Sequence, residues 1–169
     1  MRRKWLIPLL VIAFLWAEID IRRIGEWLKP NPLEQDGYTI RTDGSEQIVV
    51  SLVNAGRADA RLREVRVNGG EKPDGVQLVI SYSGQLVPGS LANSSWHKEY
   101  AIGEQPIRPR LTQEGMLQAI RVNEASPGDP AIPIHYGIMI RHHEPIESVK
   151  IRYRYLGIPF TRTVPIQSR

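Results

Sequence analysis

Ile132-Pro133-Ile134-His135-Tyr136-Gly137-Ile138-Met139-Ile140 is the stretch on which the fold turns. Ile132, Ile134, Tyr136, Ile138 and Ile140 recur at every second position over nine residues. A period of two puts all five on one face of an extended chain, so the segment reads as a half-buried β-strand. Pro133 has no N–H to donate, which places the first part of this strand on a sheet edge.

The same signature recurs outward in both directions. On the C-terminal side, His142 to Ser148 turns. Val149, Ile151, Tyr153 and Tyr155 then alternate with Lys150, Arg152 and Arg154. Leu156-Gly157-Ile158-Pro159 reads as a hairpin loop into a last strand, Phe160 to Ile166. On the N-terminal side, Pro127-Gly128-Asp129-Pro130 is a loop. Leu111 to Asn123 reads as a strand with Met116, Ile120 and Val122 on one face. Ser83 to Arg110 is rich in Gly, Pro, Ser and Asn and has no sustained period. A loop of that length is uncommon in a compact domain and is functional or mobile. One short strand is expected inside it, near Trp96 to Ile102.

Further back, Val76, Leu78, Ile80 and Tyr82 alternate cleanly. Arg61 to Asn68 is a strand whose phase slips between Leu62 and Val65, which a bulge near Arg63-Glu64 reconciles. Gln47 to Asn54 is a strand with Ile48, Val50 and Leu52 inward, and Val49 and Val53 make its other face partly apolar. Tyr38 to Thr42 is a first strand closed by the turn pair Asp43-Gly44, and Leu33 to Gly37 reads as a tether. Seven to nine short strands and no helix after Pro30 predict an all-β fold, an antiparallel Ig-like two-sheet sandwich. The expected division is an N-terminal helix over 1–30, a linker over 31–37 and the sandwich over 38–169.

The run Ile48-Val49-Val50-Ser51-Leu52-Val53-Asn54-Ala55-Gly56, followed by Leu62, Val65 and Val67, resembles the opening of bacterial cell-surface Ig-like modules. Those modules share an alternating strand, an Asn-x-Gly turn and a second strand. The resemblance implies a membrane-anchored, extracytoplasmic Ig-like sandwich and assigns no functional residue. The Cys…Trp…Cys signature of true immunoglobulin domains is absent.

The N-terminus fits that setting. Arg2-Arg3-Lys4 precedes an apolar run from Trp5 to Ala17, and Ile19, Ile21, Ile24, Trp27 and Leu28 continue at helical spacing up to Pro30. At about 1.5 Å per residue the clean run covers about 20 Å of a hydrocarbon core about 30 Å thick. Snorkelling Arg3 and Lys4 and the interfacial Trp5, Trp16 and Trp27 extend it. The segment therefore reads as an uncleaved anchor that partners the membrane through residues 5–21, with the C-terminal domain outside the cytoplasm. A cleaved signal peptide and a helix lying in the interface are the rival readings. Leu15-Trp16-Ala17 is a poor cleavage site, because Leu15 is bulky.

Of the 22 basic and 18 acidic side chains, six and three lie in the first 29 residues, which leaves 16 and 15 for the rest. A body so nearly neutral argues against nucleic acid as a partner. The chain has no cysteine, which excludes disulfides, thiol catalysis and thiolate metal sites.

Chemistry-bearing residues are sparse. A metal-dependent hydrolase would draw on His97, His135, His142 and His143. However, neighbouring strand residues face opposite ways, so His142 and His143 read as ordinary surface histidines. No Gly-x-Ser-x-Gly elbow is present, and nothing singles out a pair among Glu99, Glu104, Glu114 and Glu124 for glycosidase work. No catalytic residue, metal ligand or cofactor is assigned.

Two contact surfaces remain. One is the basic stripe Lys150, Arg152 and Arg154, with Arg162 expected opposite it across the last hairpin. It suits anionic lipid headgroups, wall polymers or an acidic partner, or serves only as a solvated, aggregation-resistant edge. The other is the long loop, where Leu86, Leu91 and Trp96 serve as contact residues or fold back to cover one end of the sandwich. The expected function is a non-catalytic binding module of the bacterial cell envelope. A carbohydrate- or wall-polymer-binding module, which would need exposed coplanar aromatics from Trp96, Tyr82 and Tyr100, is the alternative.

Overall fold

A computed structural model describes residues 31–41, 46–85, 96–126 and 129–166. The N-terminal segment, the Asp43-Gly44 turn and part of the long loop, Leu86 and Leu91 included, lie outside the described residues. Among the described residues no helix is long and apolar enough to cross a membrane.

Among the described residues the chain forms eight strands in two antiparallel sheets and one short helix, consistent with a β-sandwich. The strands are β1 (Leu33–Arg41), β2 (Glu46–Asn54), β3 (Ala60–Val67), β4 (Gly75–Ser81), β5 (His97–Tyr100), β6 (His135–His142), β7 (Ser148–Tyr155) and β8 (Ile158–Pro165). The helix, α1, spans Gln113–Glu124. A five-stranded sheet runs β1-β2-β6-β4-β5 and a three-stranded sheet runs β3-β7-β8.

The 132–140 stretch supplies the centre of the larger sheet. β6 pairs with β2 on one side and β4 on the other. Its inward residues complete three apolar rows: Ile48–Ile140–Val76, Val50–Ile138–Leu78 and Leu52–Tyr136–Ile80. Pro133 precedes the strand, so the expected edge position is corrected: β6 starts at His135 and is flanked on both sides.

The smaller sheet covers these rows with Leu62, Val65, Val67, Val149, Ile151, Tyr153 and Tyr155, all in the same buried core. The expected bulge is present as a register shift between Leu62 and Glu64. The partly apolar reverse face of β2 also has its explanation, because Val49 packs with Val79 and Met139 in a small separate cluster.

The stretch expected as a strand over Leu111–Asn123 is instead α1. Thr112 caps it, its hydroxyl accepting from the Gly115 N–H at 3.1 Å. Glu114 in the first turn and Arg121 in the last oppose the helix dipole. Buried Asn123 anchors the far end: its amide donates to the carbonyls of Tyr82 and Ile132, and its oxygen accepts from Ala131 and Ile132 N–H.

Three further boundaries are corrected. Leu33–Gly37 is the first part of β1, buried at Leu33 and bulged between Gln35 and Tyr38, and is not a tether. β8 begins at Ile158, so the hairpin loop is tighter than expected. The described parts of Ser83–Arg110 include the expected short strand, β5, and an ordered strap. In the strap, buried Ile107 exchanges backbone hydrogen bonds of 2.8 and 2.9 Å with Ala60 on the free edge of β3.

Candidate functional site

The outward face of the three-stranded sheet concentrates charge. β7 alternates strictly: Val149, Ile151, Tyr153 and Tyr155 are buried, while Lys150, Arg152 and Arg154 are exposed. Directly opposite partners in an antiparallel ladder share a face. The β3–β7 register sets Arg61 opposite Arg154, Glu64 opposite Arg152 and Arg66 opposite Lys150. Arg63 is exposed in the bulge and borders the same groove of about 600 Å³ as Arg152, Arg154 and Thr161.

Six cations thus meet one carboxylate within these two strands. Glu64 accepts from Arg66 Nε at 2.6 Å and from Arg152 Nη1 at 2.9 Å. These two guanidinium hydrogen bonds, first Arg152's and then Arg66's, hold its carboxyl below the usual range. The two flanking rows, Arg61/Arg154 and Arg66/Lys150, place like charges directly opposite each other, an arrangement that costs stability.

The four expected contact cations do not form one surface. Arg162 pairs with Ile151, so it lies on the inward side of β8, away from the stripe. Opposite Lys150, Arg152 and Arg154 are Thr163, Thr161 and Pro159. The cations that do join the stripe, Arg61 and Arg66, come from β3. Trp96 lies just before β5 of the other sheet: it is half-buried against the core and its carbonyl accepts from Tyr82 N–H.

The aromatics expected as a sugar platform turn inward as well. Tyr82 is buried, and its hydroxyl lies 3.2 Å from that of the half-buried Tyr100.

The four histidines split into two groups. His97 and His135 flank Ser81 on neighbouring strands at the start of β6. Burial pushes both imidazoles below their ordinary pKa; a backbone hydrogen bond with Gly84 draws His135 the other way. His142 and His143 lie at the far end of β6, about 23 Å along an extended strand from His135. A single four-histidine site is therefore not formed. His142 and His143 do converge, with ring centroids 4.5 Å apart, because the strand ends at His142 and the alternation rule stops with it. Asp74 raises the pKa of His143 through a 3.0 Å hydrogen bond, and its own pKa is lowered by the same contact.

Comparison of the chain with family models, with curated proteins and with solved structures finds no match in any of the three.

Proposed function

We propose that this chain is a membrane-tethered, extracytoplasmic Ig-like sandwich that acts as a non-catalytic contact module of the bacterial cell envelope. Its contact surface is the outward face of β3 and β7, and its partner is acidic. The observation that carries this reading is the pair of like-charged cross-strand rows, Arg61/Arg154 and Arg66/Lys150. Natural sequences are locally consistent except where function demands otherwise, and a solvated protective edge has no need of cation facing cation. The N-terminal run from Trp5 to Ala17 behind Arg2-Arg3-Lys4 supplies the tether.

The test is a pull-down from membranes with the full-length chain and its Arg61→Glu/Arg154→Glu variant. Loss of the partner from the variant, together with salt-sensitive capture by the wild type, supports the reading. Equal recovery by both overturns it.

A further inference from the structure

At one end of the larger sheet, β4 begins where β6 ends, with Gly75 paired to Arg141. This register brings Asp74, and Glu71 from the turn before it, against His142 and His143. The His142 side chain is only 2% exposed, and its two ring nitrogens face different carboxylates. Nε2 lies 3.3 Å from Oε2 of Glu71. An ionised carboxylate only accepts, so this contact puts the proton on Nε2 and leaves the lone pair on Nδ1. Buried Nδ1 has no hydrogen-bond partner. It points toward Asp74 Oδ2 at 3.7 Å, too long for a hydrogen bond. His143 Nδ1 approaches the same oxygen at 3.0 Å.

A buried lone pair without a partner calls for an explanation. One ligand atom from each of Asp74, His142 and His143 lies within 4.8 Å of the other two. Neighbouring ligands on a tetrahedral ion with bonds of about 2.0–2.1 Å stand about 3.3 Å apart. The 3.0 and 3.7 Å separations bracket that spacing. Glu71 supplies the other usual part, a carboxylate that accepts from the far nitrogen of a ligating imidazole and fixes its tautomer.

We propose that Asp74, His142 and His143 form a binding site for a divalent transition-metal ion, with Glu71 orienting His142. Two imidazoles and one carboxylate suit zinc or cobalt over calcium or magnesium, which take oxygen ligands. Asp74 and His143 are exposed, so the ion has an entry path and water completes its coordination. The ion joins the turn between β3 and β4 to the end of β6. A ligating imidazole must be unprotonated, so binding weakens in acid.

The test uses untagged full-length chain in detergent, stripped with chelator and titrated with Zn²⁺ by calorimetry and with Co²⁺ by visible absorption. The expected result is one ion per chain, a Co²⁺ band at tetrahedral intensity and a raised Tm. His143→Ala and Asp74→Asn, both at exposed positions, weaken binding at least tenfold while keeping the wild-type fold by circular dichroism. Glu71→Gln weakens it about 10–100-fold, and Glu144→Gln leaves it unchanged. Zn²⁺ uptake that is absent from the wild type, or equal in wild type, H143A and D74N, overturns the site. Loss on Glu144→Gln without loss on D74N overturns this ligand set, because Glu71, His142 and Glu144 form a second close trio.

Discussion

Gly56 lies so close beneath the ring of Tyr155 that a β-carbon built on it falls 2.6 Å from the phenol oxygen and 2.7 Å from Cε2. The contact joins the turn after β2 to the end of β7, and Arg57 N–H donates to the same hydroxyl at 3.0 Å. Gly56→Ala must therefore displace a ring that is only 1% exposed. Overpacking of this kind costs about 1–3 kcal/mol. Urea denaturation checks it. Combining Gly56→Ala with Tyr155→Leu is expected to cost less than the sum of the two single changes, because the second removes what the first collides with.

Asn123 is a buried side chain with every amide valence filled: two donors to carbonyls, two acceptances from backbone N–H. Asn123→Ala leaves four backbone groups to find water or go without. A stability loss of about 2–4 kcal/mol is expected, with loss of helical signal in the far-ultraviolet circular dichroism before the β signal. Asn123→Asp is expected to do comparable damage, since an acceptor-only group replaces the two donors.

The cross-strand repulsion predicts an opposition between stability and binding. Arg154→Glu faces Arg61 and turns a repulsive pair into an attractive one. It is expected to stabilise the fold by about 0.2–1 kcal/mol while weakening capture of the proposed acidic partner. Glu64→Gln, which removes the one carboxylate of these rows, is expected to strengthen capture and make it more sensitive to salt. Tm and pull-down recovery, read on the same preparations, check both.

Acid sensitivity follows from His97 and His135. Burial lowers both folded-state pKa values from 6.5. Below 6.5 the unfolded chain takes up protons that the folded chain refuses, so stability falls as pH drops through that window. His143 works the opposite way: its raised pKa adds stability at low pH that disappears as pH rises through the folded value. It is exposed, so the buried pair dominates. Urea midpoints between pH 7.5 and 5.5 are expected to fall less steeply in His97→Gln/His135→Gln than in the wild type.

Strands were legible because a period of two is a direct imprint of the pleat. Ile48, Val50 and Leu52, and Tyr136, Ile138 and Ile140, occupy the core rows that alternation assigns them. The same arithmetic concealed α1. Met116 and Ile120 are four apart, and residues four apart share a face in a strand and in a helix alike. The deciding signals were the Thr112 cap and the spacing of Ala119 and Asn123, the two buried helix positions.

The site was half legible. The stripe Lys150, Arg152, Arg154 is visible within one strand, but Arg61 and Arg66 join it only through a pairing with residues more than eighty positions away. A near-neutral total charge carries no information about that segregation. Asp74 and His143, 69 positions apart, are likewise neighbours only because Gly75 pairs with Arg141.

Each border of the three-stranded sheet carries an obstacle to a further strand. Ile107 takes the Ala60 position of the β3 border with its own backbone, and Pro159 and Pro165 deprive β8 of donors at either end. A strand docking along either border therefore meets a position that is already taken or has no donor to give.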